Sequence, residues 1–503
     1  MANLTVEEQL KVLQHNSDTF FIVIEAALIS LMQFGFAFLE AGSVRAKNTT
    51  NILIKNILDL YVGALCYWMF GYAFAFGKPG NLMIGGGYFF FINFPETELP
   101  LFFFHWVFAA TATTIVSGAV AERTEFVSYL FYSVGLTGII YPVVSHWAWS
   151  DEGWLANGPD VAYRDFAGSG VVHMVGGTAA LVGAAILGPR IGRFDENGKP
   201  VVIHGHTVPL VALGGFILLF GFFAFNGGSQ ASVSQPGDAE VIANAVVNTI
   251  LSGAAAATVT LSLSRLHFGE GKWSLLTTIN GGLAGMVAIC AGCDSVMAWG
   301  AVLTGMIAGI VYQLTSILVE RLRVDDPLDA VAVHLSGGTI GVLTAPFLVY
   351  PDGVVFNWDG PAFLLLGWNV IGGIAIFVWT AALSTVLFGG LQLAGWLRVS
   401  AEIEIKGLDI PKHGEPAYPP VSYQVGWHSD LHNLPAQEYG SVRVGNSKPA
   451  RPRLPHEYQN NAYDASETSN GDTGIAPPVT NTEVNIQVGD ENYNTQDKTT
   501  DQQ

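Results

Sequence analysis

Apolar residues run along this chain in long blocks, and short polar stretches rich in Gly, Pro, Asp and Arg separate them. Crossing a bilayer as a helix takes about 20 mostly apolar residues. Eleven blocks fit that description: Thr19–Glu40, Ile52–Phe76, Pro100–Val120, Phe126–Trp149, Gly168–Leu187, Val208–Gly227, Val241–Leu263, Leu275–Ala291, Val296–Val319, Ala330–Tyr350 and Ala362–Leu393. In Val241–Leu263 and Leu275–Ala291, Gly, Ala and polar residues dilute the pattern. The first block is not a secretory leader: it lacks a basic start and a small-residue cleavage site, and it continues into Glu40 and Gly42. The pattern predicts an all-α membrane protein of eleven transmembrane helices. After Trp396 the blocks stop. The expected layout is an external N-terminus (1–18), a transmembrane domain (19–396), an ordered segment (397–418) and a disordered tail (419–503) rich in Asn, Asp, Ser, Thr, Pro and Gly.

Charge orients the bundle, because Lys and Arg are retained on the cytoplasmic side of membrane helices. With the N-terminus outside, the inner connections and helix ends carry Arg45, Lys47, Lys55, Arg123, Arg190, Arg193, Lys199, Arg265, Lys272, Arg321 and Arg323. The outer segments carry Lys11, Lys78 and Arg164. An odd helix count then places the C-terminus in the cytoplasm, and a miscount by one helix would scramble the asymmetry. Composition agrees: 13% of residues are charged and 58 are Gly, as in closely packed membrane helices. The formal charge of −19 includes 11 acidic against 5 basic residues in the tail and says little about partners, and no nucleic-acid ligand is expected. Cys290 and Cys293 form a CxxC inside an apolar run, with no second pair and no His nearby along the chain. They read as small residues near a helix end, and no metal or cofactor is expected. Asn3-Leu4-Thr5 is a glycosylation acceptor pattern close to the terminus.

Two blocks share a pattern. Asp165-Phe-Ala-Gly-Ser-Gly-Val-Val-His173-Met-Val-Gly-Gly-Thr178 resembles Asp326-Pro-Leu-Asp-Ala-Val-Ala-Val-His334-Leu-Ser-Gly-Gly-Thr339. The predicted topology sends the first helix inward and the second outward, as in an inverted repeat with its site between the halves. A looser echo links Ala37-Phe38-Leu-Glu-Ala-Gly-Ser43 with Ala224-Phe225-Asn-Gly-Gly-Ser229. Each half then holds five helices, with the eleventh as a C-terminal strap. A single His in a membrane helix is usually a packing residue, the reading given to His105 and His146. Matched positions in inverted helices bring His173 and His334 towards one axis, each followed by Gly-Gly that permits close backbone approach. Asp165, Asp326 and Asp329 are supporting residues: helix caps, most clearly where Pro327 marks a helix start, with Asp165 the best placed to meet a cation.

These residues resemble the Amt/Mep/Rh ammonium transporter family over about Thr19–Tyr418. The motif around His173 followed by Gly188-Pro-Arg190, the Asp325–His334 run and the Leu397–Asp409 and His413–Tyr418 stretches carry the resemblance. It implies a homotrimer in which each subunit has its own narrow pore. His173 and His334 then correspond to the twin pore histidines, Phe108 and Phe225 to a stacked gate, and Trp149, Ser229 and Phe108 to an outer ammonium site. Trp149 and the short first outer loop fit the Amt/Mep branch. His105 stands where Gln is common and Phe222 where some members carry Trp.

The chemistry suits such a pore. An aromatic face attracts a small cation by about 0.5–2 kcal/mol. Desolvating a bare ion costs of order 20 kcal/mol in the idealised limit, and neutral ammonia avoids most of it. Deprotonation at the outer end, conduction of ammonia past two imidazoles and separate proton transfer would therefore exclude sodium and potassium, which have no proton to shed. The expected protein is an electrogenic transporter of ammonium and methylammonium in the plasma membrane, not an enzyme. A neutral ammonia or carbon dioxide channel and an ammonium sensor are the alternatives.

Overall fold

The computed structural model describes residues 4–266 and 271–419. Asn3 and, but for its first residue, the predicted tail lie outside them. Among the described residues, ten helices are long and apolar enough to cross a membrane: α1 (Val6–Ser43), α2 (Ala46–Phe76), α3 (Glu96–Ala119), α4 (Phe126–Trp149), α5 (Ser169–Leu187), α6 (Val208–Gln230), α7 (Asp238–Leu266), α9 (Ala298–Arg321), α10 (Val331–Leu348) and α11 (Gly360–Leu393). Between the seventh and ninth lies α8 (Leu275–Ile289), apolar but only 15 residues long. A short α12 (Ala401–Lys406) follows the bundle. Among the described residues, strand pairing is confined to isolated bridges such as Thr124 with Arg398.

Helix α1 begins at Val6, well before Thr19. Thr5 and Glu8 form a capping box that starts it: the Thr5 hydroxyl accepts the Glu8 N–H, and the Glu8 carboxylate accepts the Thr5 N–H at 2.8 Å. At 38 residues the helix is about 57 Å long, nearly twice the ~30 Å hydrocarbon core, so its polar first turns extend beyond the apolar zone. Lys55, counted with the charges of the inner connections and helix ends, lies near the start of α2 and is buried there, its ammonium facing the Thr124 carbonyl at 3.3 Å.

Two packings place the site. Helix α1 lies along α6, and the start of α5 lies against the start of α10. Those are the pairs that the sequence repeat relates. Close contact depends on glycine: a Cβ on Gly177 would sit 2.2 Å from the Leu335 nitrogen, and one on Gly338 would sit 2.4 Å from the Ser169 carbonyl. Any side chain there would push the two helices apart. Both helices open with a π-turn, Ser169–Met174 and Val331–Ser336, a distortion that recurs at functional sites. Helix α11 packs along α5.

At the end of the bundle where α1 finishes, charged residues interlock. Arg190 bonds Asp325 at 2.8 Å and Glu122 at 3.0 Å, and Arg45 bonds Glu122 at 2.9 Å. The 397–419 segment covers this end: the Asp409 carboxylate accepts the Thr50 and Asn51 N–H groups at 3.1 and 2.8 Å, and Lys412 pairs with Glu125 at 2.7 Å.

Candidate functional site

Asp165 starts α5. Its carboxylate accepts the Gly168, Gly170 and Val171 N–H groups at 3.1, 2.9 and 2.9 Å, satisfying donors that a helix N-terminus leaves open. Gly168 turns the chain at φ +103°, a value that favours glycine. One turn later His173 points into the bundle, fully buried. On α10, Asp326 plays the simpler cap, its carboxylate accepting the Val331 N–H at 2.7 Å. Asp329 does not cap; it accepts the Tyr312 and Ser316 hydroxyls of α9 at 2.9 and 3.0 Å, tying α9 to the base of α10. His334, also buried, then meets His173.

The two imidazoles face each other with Nδ1 to Nδ1 at 3.2 Å and ring centroids 5.3 Å apart, nearly parallel at 20°. That separation holds one hydrogen, so one ring donates and the other accepts. The second nitrogen of His173 faces the Cys290 thiol at 3.7 Å. No His adjoins Cys290 along the chain, but one does in space; among the described residues no cluster of three His, Cys, Asp or Glu is arranged to hold a metal.

Above the pair, Phe225 lies 5.5 Å from His173 and stacks on Phe108 at 4.1 Å and 19°. Both phenyl rings are buried, so the stack separates the imidazoles from the far end of the bundle. There Trp149 stands edge-on to Phe108 at 5.9 Å, its indole N–H donating to the Asp165 carbonyl at 2.8 Å. Ser229 lies at the end of α6, and its hydroxyl donates to the Phe225 carbonyl at 2.8 Å, keeping its lone pairs for another donor. His105 faces the same region, 4.1 Å from Phe76 and 6.1 Å from Trp149. His146 packs as expected, its ring nitrogens against the Ala75 and Asn81 carbonyls at 2.8 and 2.6 Å.

Phe222, 5.7 Å from His173, and Phe36, 6.1 Å from His334, complete an aromatic wall around the imidazoles. Phe36 and Cys290 had no signal in the linear pattern, since neither differs from an ordinary apolar position of its helix.

A bundle of membrane-length helices that buries a polar pair behind stacked aromatic rings defines a multi-pass membrane protein with its site inside the bundle. The chain belongs to the Ammonium Transporter Family, whose profile matches residues 20–418. It is 45% identical over 480 residues to a Caenorhabditis elegans protein named "Putative ammonium transporter 1", covering 90% of this chain and 89% of that one. It is 44% identical over 404 residues to ammonium transporter 1 member 1 of Oryza sativa subsp. japonica, covering 75% and 81%. Among solved structures it resembles a "Sensor Amt Protein" at 34% identity, with a TM-score of 0.74 over 80% of this chain and all of that one. Mep2 of Saccharomyces cerevisiae matches at 25% identity, with a TM-score of 0.68 over 77% and 88%.

Proposed function

We propose that the chain moves ammonium across the plasma membrane as ammonia and a proton travelling separately. The buried His173–His334 contact behind the Phe108–Phe225 stack carries this reading, because it offers hydrogen-bonding nitrogens where the rest of the wall is apolar. Ammonium meets the Trp149 ring, Phe108 and the Ser229 hydroxyl. The cation is worth about 0.5–2 kcal/mol to an aromatic face, far less than the hydration it would lose beyond the stack. It sheds its proton there, ammonia passes the phenyl rings, and the imidazoles bond it in turn. The shared proton between their Nδ1 atoms gives a second lane for charge.

In this reading α1 to α11 are eleven membrane helices, with the N-terminus outside and the charged end of the bundle in the cytoplasm. The halves α1–α5 and α6–α10 are inverted repeats, α11 is the strap, the subunits form a homotrimer and methylammonium is a second substrate. A sensing role is the second reading, favoured by the way residues 397–419 latch onto the start of α2 and the loop before α4 and by the likeness to a protein titled a sensor.

The deciding experiment is an ammonium concentration jump on liposomes holding the purified protein, with potassium as control. A saturable, inward current specific to ammonium supports electrogenic transport. Folded, inserted protein without current overturns it in favour of neutral ammonia conduction or sensing.

A further inference from the structure

On the inner side of His334, the wall of the passage holds a carboxylate that the mechanism above does not use. Glu40 on α1 is buried at 1% exposure and lines a cavity of about 20 Å³ with His334, Phe36, Leu218 and Asn280. That volume has room for one water- or ammonia-sized molecule. Both hydrogen bonds given to Glu40 fall on Oε2, from Asn56 Nδ2 at 2.8 Å and Ser117 Oγ at 2.5 Å. They hold the carboxyl in place with its other oxygen still to be satisfied. The charged groups acting on it, Lys55 and Asp59, both sit on α2. Lys55 is engaged with the Thr124 carbonyl and Asp59 with the Tyr129 hydroxyl. The remaining walls offer only Asn280 and His334 as polar groups. A buried carboxyl with a cavity in front of it and an imidazole across that cavity has the chemistry of a proton relay.

We propose that Glu40 is the inner proton-transfer residue, the group that returns the proton to ammonia before release. The inference rests on the two-lane reading above. The proton that ammonium loses outside reaches His334 through His173 and passes to the Glu40 carboxylate, forming its O–H bond. Ammonia entering the same cavity takes that proton on its lone pair, the O–H bond breaks and a fourth N–H bond forms. Ammonium leaves for the inner solution and Glu40 returns to a carboxylate. One ammonia and one proton enter the cavity and one ammonium departs, with the imidazoles and Glu40 unchanged.

The test is the same ammonium-jump current, on variants that elute and insert as the unmodified protein does. Glu40→Gln keeps the side chain's shape and can still accept from Asn56 and Ser117, but it carries no exchangeable acid. Glu40→Asp keeps the acid and disturbs the fit. A proton-transfer role predicts a loss of about tenfold or more in Glu40→Gln, with Glu40→Asp retaining the larger share; tenfold corresponds to ~1.4 kcal/mol of barrier. A purely structural role predicts the reverse order, and that order, or an unaltered Glu40→Gln current, overturns the proposal. If Glu40→Gln does not fold, Glu40→Ala with added formate replaces it: recovery of current supports the role and no recovery overturns it. Absence of current in the unmodified protein fails the two-lane reading itself. A normal current there with an indifferent Glu40 fails only this inference.

Discussion

Facing nitrogens 3.2 Å apart leave His173 and His334 a single proton between them, so the tautomer of one ring dictates that of the other. When Nδ1 of His173 donates, its Nε2 is bare and meets the Cys290 thiol, whose hydrogen is also within reach of the Met286 carbonyl at 3.1 Å. When Nδ1 accepts, the pattern inverts. Passing a proton along the pair therefore flips both rings' donor and acceptor ends, which a single histidine in an apolar pore cannot do. Replacing His173 with Ala removes that coupling and leaves a gap that water can enter beneath Phe225. The expected result is a fall of about tenfold or more in the ratio of ammonium to potassium current, ~1.4 kcal/mol in relative barrier, measured on liposomes. If the ratio stays unchanged in His173→Ala, the imidazoles are not the basis of selectivity.

The imidazoles can meet only because α5 and α10 approach at Gly177 and Gly338. A methyl group on Gly177 would fall 2.2 Å from backbone, which cannot yield as a side chain can, so one helix must shift. Gly177→Ala should therefore reduce ammonium transport by about tenfold or more with both histidines intact, since a shift of about 1 Å is enough for such losses. Gly367→Ala on α11, where a Cβ meets nothing within 4 Å, should leave uptake of labelled methylammonium unchanged. This element-level logic was legible in the sequence, because the spacing of His to Gly-Gly repeats and spacing survives folding. Although α8, at 15 residues, falls short of membrane length, the ten helices that reach it were legible from block length. The start of α1 was not: its first turns are polar, and only the cap between Thr5 and Glu8 announces them. Nor was the different work of Asp329, whose partners Tyr312 and Ser316 lie on another helix. Glu40 stood in the pattern as the edge of an apolar block, and only the fold shows that Asn56, Ser117 and a cavity surround it. Linear patterns carry period and length; the partners of a buried polar group come from elsewhere in the chain.

Across the whole molecule, the charged end of the bundle joins parts that are distant in sequence. Glu122 follows α3, Arg190 follows α5, Asp325 precedes α10, and the Glu404 carboxylate of the C-terminal segment accepts the Ile191 N–H at 2.7 Å. Arg123 sits beneath them fully buried, bonding the Asp325 carbonyl at 2.6 Å and the Gly188 carbonyl at 2.8 Å. Residues that follow α3 and α5, precede α10 and belong to the covering segment thus share one network of ion pairs and hydrogen bonds. Burial alone would raise the Asp325 carboxyl, but the Arg190 hydrogen bonds and the Arg123 and Arg190 charges outweigh it and hold the group down at about 2. A depressed carboxylate contributes stability that is present above its ordinary value of 3.8 and is lost as pH falls towards 2. The network should therefore stay intact through the range from about pH 5 to 8 and give way only in strong acid. Asp325→Asn leaves Arg190 with Glu122 as its remaining carboxylate, and breaking one partner from a buried pair costs about 3–5 kcal/mol. The expected outcome is a lower melting temperature in detergent at neutral pH, with part of the acid-induced loss seen in the unmodified protein already absent from the variant. Faster proteolysis within residues 397–419 should accompany it, because Arg190 positions the loop that Glu404 grips. A variant that melts and resists protease as the unmodified protein does would show that the latch rests on the Asp409 and Lys412 contacts instead.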